Sequence, residues 1–330
     1  MMKKILFVFI AMLMAGNVFG SSVNQSNNDV NNDDEINISD LNTLIDAIMN
    51  DPFNMNYDVN NDGVVNIADV YAMIDLILEN TDTSTDETIV VNGVAFKMIH
   101  VDGGTFKMGA TAEQGSDANS SESPVHQVTL SDFSIGETEV TQALWLAVMG
   151  SNPSYFAPRN GYTEDLSRPV EVVTWNDCQT FISKLNEITG MHFRLPTEAE
   201  WEFAARGGNK SKGYKYAGSN RLDDVAWYWG NIPSQTSRTP GYGTQPVRTK
   251  KANELGLYDM SGNVWEWCRD KYGDYSSAAQ TNPTGPTSGS LRVRRGGGWG
   301  YSAKDCRVST RYYDVQVSGA TSGLGLRLAL

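Results

Sequence analysis

Two stretches near the amino terminus repeat apolar residues at the spacing of one helix face, and each stretch follows a polar loop. The apolar positions are Leu41, Leu44, Ile45, Ile48 and Met49 in the first stretch, and Val70, Met73, Ile74, Ile77 and Leu78 in the second. A helix with a single apolar face cannot bury that face alone. The pattern therefore predicts two amphipathic helices that pack against each other as a small α-helical domain at residues 29–79.

From residue 89 onward the pattern changes to short apolar runs separated by glycine-rich turns. Runs at residues 89–91 and 96–99 predict strands. Two longer stretches predict helices, one over Trp175–Thr189 and one that begins at Thr197, where Glu200 completes a capping box. We therefore predict an α+β domain at residues 89–330, rich in irregular structure and joined to the helical domain by a polar linker at residues 80–88.

Residues 1–20 combine a lysine pair, an apolar run at residues 5–15 and small residues ahead of Ser21. This order is typical of a signal peptide for secretion. The apolar run is shorter than the ~20 residues that a membrane-spanning helix needs. We predict that the chain is exported to the periplasm, the cell surface or the medium, and that the mature chain has no membrane span.

The formal net charge of -13 comes from one part of the chain. Residues 21–88 contain 15 Asp and Glu and no Lys or Arg, so residues 89–330 carry a net charge of zero. A neutral domain joined to an acidic one lacks the basic surface that binds nucleic acid. We therefore predict no nucleic-acid partner, and we look for a cation in the acidic segment.

The acidic segment contains a 12-residue loop pattern that recurs 29 residues later. Calcium requires oxygen ligands at loop positions 1, 3, 5 and 12, with a backbone carbonyl at position 7. The second loop supplies Asp58, Asn60, Asp62, the Val64 carbonyl, Asn66 and Asp69, and the first supplies Asp29, Asn31, Asp33, the Glu35 carbonyl, Asn37 and Asp40. We predict two calcium sites, with weaker binding in the first loop, where Asp34 replaces the turn glycine. Solvated acidic turns are the alternative.

Tandem loops, each closed by Asp and followed by one helix, resemble a dockerin module over residues 29–79. The resemblance implies a partner that carries a cohesin domain, on a scaffold or on a surface protein.

Several longer phrases carry a second resemblance. Residues 194–208 read RLPTEAEWEFAARGG, residues 256–267 read GLYDMSGNVWEW and residues 292–299 read RVRRGGGW. Together with GGTFKMG at residues 103–109 and GLR at residues 325–327, they resemble the formylglycine-generating enzyme (sulfatase-modifying factor) family across residues 90–330. This resemblance implies a variant of the C-type-lectin-like fold, with mixed helix and sheet, much irregular structure and bound calcium.

The family resemblance also implies a calcium cage in the large domain. Its ligands would be the side chains of Asp259 and Glu266 and the carbonyls of Gly262 and Val264. On a strand, Val264 and Glu266 would share one face while the tryptophans between and after them pack on the other. An ordinary ion pair is the alternative role for Glu266.

Enzymes of the family oxidise a sulfatase cysteine to formylglycine with copper(I) held by two thiolates. By resemblance, the two cysteines stand two and seven positions after Trp299, where this chain has Tyr301 and Cys306. The serine beside the copper is replaced by Gly298. Copper(I) selects paired soft sulfur ligands, so Cys306 is the one candidate catalytic residue. We predict that copper is not a cofactor.

Cysteine usage gives a further prediction. The three cysteines are Cys178, Cys268 and Cys306. Because exported proteins favour disulfides, we predict a Cys268–Cys306 bond, with Cys178 buried on the helix that begins near Trp175.

The region at residues 300–323 mixes aromatic and adaptable polar residues, as evolved binding surfaces do. It also resembles the variable region of lectin-fold proteins that retroelements diversify. The predicted ligand surface consists of Tyr301, Lys304, Asp305, Tyr312 and Tyr313. Ordinary surface loops are the alternative reading.

These observations favour an exported, calcium-binding protein with a binding or accessory role, attached through its dockerin-like module. One alternative is a formylglycine-generating oxidase that acts on sulfatases. The other is an accessory component of a secreted complex that degrades polysaccharides.

Overall fold

The apolar stretches of the small domain form two helices, α1 (Ile38–Asn50) and α2 (Ile67–Asn80). Leu44 and Met73 are fully buried between them. The Asn66 side chain accepts a 2.8 Å hydrogen bond from the Ala68 amide, which satisfies a free donor where α2 begins. The predicted pair of amphipathic helices is therefore confirmed.

The computed structural model describes residues 29–31, 38–50, 57–60, 62–80 and 86–330. The chain divides into two compact units, Met1–Ser84 and Thr85–Leu330. Among the described residues, the helices are too short or too polar to cross a membrane. The predicted signal peptide, and the loop residues Asp33, Glu35 and Asn37, lie outside the described residues.

The large unit contains four further helices and ten short strands. The helices are α3 (Gln142–Met149), α4 (Trp175–Thr189), α5 (Glu198–Ala205) and α6 (Leu222–Val225), with single 3-10 turns at Ala112–Asp117, Ser120–Glu122, Pro158–Asn160, Gly208–Lys210 and Ala303–Cys306. The strands are β1 (Glu87–Val91), β2 (Val94–Val101), β3 (Gly104–Met108), β4 (His126–Leu130), β5 (Phe133–Gly136), β6 (Trp265–Lys271), β7 (Gln280–Thr281), β8 (Leu291–Arg295), β9 (Arg311–Val315) and β10 (Leu324–Leu326).

Local sequence signals predicted the helices α4 and α5 correctly. Thr174 caps α4, which ends at Gly190 in the left-handed conformation. Thr197 and Glu200 form the predicted capping box at the start of α5. Both helices are thus fixed by hydrogen bonds between residues close in sequence.

The strands form three small sheets. Their orders are β1-β2-β5, β3-β4-β7 and β10-β6-β8-β9. In the third sheet β6 pairs parallel to β10 and antiparallel to β8, and β9 forms the other edge beside β8.

Strand β6 lies between two hydrophobic cores. Trp265 and Trp267 pack into one core with Phe181 of α4, while Cys268 packs into the other with Trp201 of α5. The predicted alternation of faces along this strand is confirmed. Successive side chains on β6, and on its neighbour β8, therefore face opposite sides of the sheet.

Buried ion pairs connect distant parts of the large unit. Arg311 donates to both oxygens of Glu198, at 2.7 Å each, and both side chains are almost fully buried. As an acid in the first turn of α5, Glu198 is also favoured by the helix dipole. The strand β9 adds a charged partner that the local sequence does not contain.

Candidate functional site

Strand register brings an arginine into an aromatic environment at the β8–β9 edge of the third sheet. Arg294 lies opposite Tyr312 on β9 and opposite Trp267 on β6. Because side chains alternate along a strand, Arg295 projects to the other face. There its guanidinium donates to Glu202 in a fully buried ion pair.

Three aromatic rings surround the Arg294 guanidinium. Its central carbon lies 5.0 Å from the ring centre of Trp265, 4.9 Å from that of Tyr312 and 5.9 Å from that of Tyr301. The rings of Trp265 and Tyr301 meet edge to face, with centres 5.5 Å apart. We call Arg294, Trp265, Tyr301 and Tyr312 the aromatic arginine site.

Three donors of this site have no hydrogen-bond partner among the described residues. They are Nε and NH1 of Arg294 and Nε1 of Trp265, and all three atoms are buried. The nearest carboxylate oxygen, Oδ2 of Asp314, lies 3.7 Å from NH1 of Arg294, too far for a good hydrogen bond. Buried donors without acceptors are costly, so the site is suited to an incoming group that supplies oxygen acceptors.

The rest of the predicted ligand surface is partly brought together. Tyr312 and Tyr313 are 51% and 40% exposed, and their rings stack at 5.4 Å with an angle of 12°. Lys304 is exposed and Tyr301 is half-buried. Asp305 instead accepts hydrogen bonds from the amide and hydroxyl of Ser302. Asp305 is thus engaged in a local cap.

Cys306 is fully buried and has no second thiol beside it. Burial raises the pKa of its thiol well above the usual range. Its sulfur lies 3.7 Å from the Ser302 carbonyl oxygen, in a cluster with Tyr216 and Val225. The position where the resemblance requires the other copper ligand is Tyr301, which packs against Trp265.

The predicted disulfide is wrong. All three cysteines, which lie in the described region, are free and buried. Cys268 projects from β6 into the core around Trp201, whereas Cys306 fills a separate apolar cluster. Each thiol acts as a small apolar side chain in its own core. The prediction that Cys178 is buried on α4 is confirmed.

The segment predicted to form a calcium cage leads into β6. A side chain at Gly262 would place its Cβ 2.3 Å from the Trp227 carbonyl, so the left-handed turn here requires glycine. Asp259 is buried, and its Oδ2 accepts a hydrogen bond from the Arg248 amide at 2.9 Å. Its Oδ1 is buried without a partner in the part of the chain that the structure describes.

Glu266 is held by other side chains. Arg327 donates from both Nε and NH2 to its carboxylate, and Trp201 Nε1 donates to Oε2 at 2.7 Å. The ion pair with Arg327 is fully buried. The structure therefore shows Glu266 in an ion pair, which is the alternative role that the sequence left open.

A third buried carboxylate beside this segment was missed by the sequence reasoning. Glu139 accepts hydrogen bonds from the Val264 amide at 2.9 Å and from the Asn263 side chain at 2.7 Å. Burial first, and then the charges of Asp259 and Glu266, raise the pKa of Glu139 well above its usual range. The sequence signal for Glu139 is the phrase EVTQ at residues 139–142, which also resembles the family. Because this phrase lies 120 residues before Asp259, the sequence alone did not place the two carboxylates together.

The donors at this segment fit a hard cation in part. The unmatched Oδ1 of Asp259 is a suitable oxygen ligand, and burial raises the pKa of Asp259 to about 6. The oxygens of Glu266 are already engaged by Arg327. Across the described residues, no three acidic, histidine or cysteine side chains converge where a metal could sit. A calcium ion at this segment would therefore depend on backbone carbonyls as well as on Asp259.

The second loop of the small unit is folded around its polar side chains. Asp58 accepts hydrogen bonds from the amides of Asp62 and Gly63, at 3.1 and 2.9 Å. Asp69 is fully buried and accepts from the amides of Val59 and Asn66 at 2.8 Å each. These residues are brought together around one turn as the pattern predicts. In the first loop, Asp40 accepts from Val30 in the equivalent way.

Comparison with known proteins supplies the relatives of the large unit. The sulfatase-modifying factor enzyme 1-like domain family matches residues 86–330. Chaperone protein LppX of Paenibacillus barcinonensis is 35% identical over 277 residues, which cover 70% of this chain and 89% of that protein. The formylglycine-generating enzyme of Streptomyces coelicolor is 30% identical over 285 residues, covering 70% of this chain and 88% of that enzyme.

Among solved structures, Treponema denticola variable protein 1 is 36% identical and superposes with a TM-score of 0.63. The match covers 74% of this chain and 98% of that one. The predicted α+β, C-type-lectin-like fold of the large unit is confirmed by these matches.

Proposed function

This chain belongs to the sulfatase-modifying factor family, and we propose that it is a binding or accessory protein without the oxidase reaction. The observation that carries the proposal is the isolation of Cys306. Its thiol is buried, protonated at neutral pH and packed among apolar side chains. A single protonated thiol does not provide the two thiolates that copper(I) selects.

The aromatic arginine site supports the binding role. Tyr301, at the position of the missing thiolate, packs edge to face on Trp265 and so closes the space with an aromatic ring. Exposed tyrosines and a desolvated arginine are typical of the residues that dominate binding energy. The three donors without acceptors favour a ligand that brings carbonyl, hydroxyl or carboxylate oxygens to Arg294.

Two relatives agree with a role other than oxidation. LppX is named a chaperone protein, and the Treponema denticola relative is named a variable protein. We infer that the scaffold serves binding in this chain too. The Streptomyces coelicolor enzyme, at 30% identity, is the reason to test the oxidase directly.

Export, calcium binding and attachment through the small unit belong to the same proposal. The second loop supports the calcium binding, because Asp58, Asp62 and Asp69 lie around one turn with Gly63 in the left-handed conformation. A cohesin on a scaffold would place the large unit in a complex that degrades polysaccharides. A pull-down with the full chain, with calcium and then with chelator, tests this attachment by the recovery of a cohesin-bearing protein.

Copper retention tests the loss of the oxidase site. The full chain and Cys306→Ser are loaded with copper(I) and dialysed against the chelator bicinchoninate. We expect neither protein to retain one equivalent of copper. Retention by the native chain and loss in Cys306→Ser would contradict the proposal, because the difference would show a copper site built on that thiol.

A further inference from the structure

A basic groove lies on the large unit where α4 begins and β6 ends. Its volume is about 620 Å³, and it is lined by Trp175, Arg194, Arg269, Lys271, Arg292 and Pro286 among others. Four of its eleven lining residues are cations and none is an acid, although residues 89–330 as a whole carry no net charge. The positive charge is therefore a local feature of this groove.

Three of the four cations are not neutralised. Arg194 pairs with Glu200 at 2.7 Å. The ion pairs found among the described residues do not include Arg269, Lys271 or Arg292. Lys271 donates to the Thr287 carbonyl, and Arg292 donates to the Arg269 carbonyl and the Gln316 side chain. These acceptors are neutral, so the charges remain available.

Strand geometry places the cations together. Arg269 and Lys271 of β6 both line the groove, and beyond a register shift in β6, Lys271 pairs with Arg292 on β8. Like charges directly opposite each other on neighbouring strands destabilise a sheet. An anionic ligand that contacts both Lys271 and Arg292 would offset this repulsion.

The acid nearest in sequence does not compensate. Asp270 projects to the opposite face, where it is buried and accepts from the Glu198 amide. Burial raises the pKa of Asp270 to about 8, so it is largely protonated at neutral pH. The groove therefore keeps its positive charge at neutral pH.

Arg292 is held in place before any ligand arrives. Its guanidinium stacks 3.8 Å from the Trp175 ring centre, and Trp175 in turn donates to the Cys268 carbonyl at 2.9 Å. A planar, preorganised guanidinium is suited to sulfate and carboxylate groups. Because this arginine loses little mobility on binding, its contact with an anion is favoured.

We propose that this groove binds an acidic polysaccharide through its sulfate or carboxylate groups. A volume of this size accommodates a short stretch of sugar units. Nucleic acid fits less well, because Arg292 covers the Trp175 ring on which a base would stack and the domain lacks an extended basic surface. The groove is built from different residues than the aromatic arginine site, so the two proposals stand independently.

The test is a titration of the full chain with four polymers by calorimetry. These are dextran sulfate, polygalacturonate, neutral dextran and single-stranded DNA, at low and moderate salt. We expect the two acidic polysaccharides to bind, neutral dextran not to bind, and the affinity to fall as salt screens the charges. The ratio of the two affinities tells sulfate from carboxylate recognition.

Matched variants locate the binding. Arg269→Gln with Lys271→Gln removes two groove charges and is expected to weaken binding by about tenfold. Lys210→Gln with Lys212→Gln removes two exposed charges outside the groove and should leave the affinity unchanged. Equal affinity in both double variants, absence of binding to both acidic polysaccharides, or tighter binding of DNA would each overturn the proposal.

Discussion

The guanidinium of Arg294 lies 5.0 Å from the ring centre of Trp265, and donors on both side chains lack acceptors. The next residue, Arg295, projects to the opposite face and donates to Glu202, Val308 and Ser309. Among the described residues, two nitrogens of Arg294 lack an acceptor, against one of Arg295, and Arg295 pairs with two buried carboxylates. We therefore expect the two neighbouring arginines to differ in what they contribute to stability.

Arg294→Met is therefore expected to change the free energy of unfolding by less than about 1 kcal/mol. The substitution keeps an apolar contact with Trp265 and removes two donors without acceptors, while it breaks only the loose 3.7 Å pair with Asp314. Arg295→Met removes the fully buried pair with Glu202, which then keeps only Arg206 as a charged partner, and is expected to cost about 3 kcal/mol. Urea unfolding followed by fluorescence measures both, because all 8 tryptophans lie in the large unit. Equal losses would show that Arg294 is also structural.

Glu266→Gln tests the buried pair with Arg327. The neutral amide cannot balance the Arg327 guanidinium, which is fully buried. We expect a loss of about 3 kcal/mol in the free energy of unfolding. Glu164→Gln, the same change at an exposed position, is the control. A loss no greater than that of the control would mean that nearby Glu139 and Asp259 already balance Arg327.

The carboxyl of Asp259 makes stability depend on pH. Its folded pKa of about 6 lies above the ordinary value of ~3.9. The folded state therefore binds the proton more tightly than the unfolded state does, and the free energy of unfolding falls as pH rises from about 4 to about 6. The fall from this group is at most ~3 kcal/mol. Calcium is expected to oppose it by neutralising the carboxylate.

Asp259→Asn removes that contribution, because the amide does not ionise. Urea unfolding from pH 4 to pH 7 in chelator should show a smaller fall for the variant than for the native chain. Because the charge of Asp259 also raises the pKa of Glu139, the difference between the two profiles reports both coupled carboxyls. Identical pH profiles would contradict the assignment, and a calcium-induced gain that survives in the variant would place the ion elsewhere.

The second loop of the small unit gives a prediction of its own. Asp62 is exposed, and its Oδ1 accepts a hydrogen bond from the nearby Val64 amide at 2.9 Å. Asp62→Ala should reduce the number of calcium ions bound by the full chain by one, as measured by calorimetry. Asp46→Asn, an exposed acid on α1, is the control and should keep the full number. If Asp62→Ala binds the same number of calcium ions as the native chain, the loop is a solvated acidic turn and not a calcium site.

The features that the sequence predicted are those set by neighbours in the chain. The cap at Thr197 and the helices α1, α2 and α4 follow from residues within a few positions of each other. The family phrases also predicted the fold of the whole large unit, because they occur along its entire length. They further indicated that Tyr301 stands where the family has the second copper cysteine.

The features that the sequence did not predict join residues far apart in the chain. Glu198 meets Arg311 across 113 positions, and Glu266 meets Arg327 across 61. The wrong disulfide has the same cause, because cysteine count and compartment do not show that Cys268 and Cys306 project into different cores. Partner choice in a buried network depends on tertiary packing.

Formylglycine formation tests the central claim most directly. The full chain is incubated with copper, oxygen and a peptide containing Cys-x-Pro-x-Arg, beside a formylglycine-generating enzyme as positive control, and the peptide mass is followed. We predict that the peptide cysteine stays unmodified, since Cys306 has no thiolate partner at Tyr301. Conversion at the rate of the control enzyme, lost in Cys306→Ser, would contradict the account.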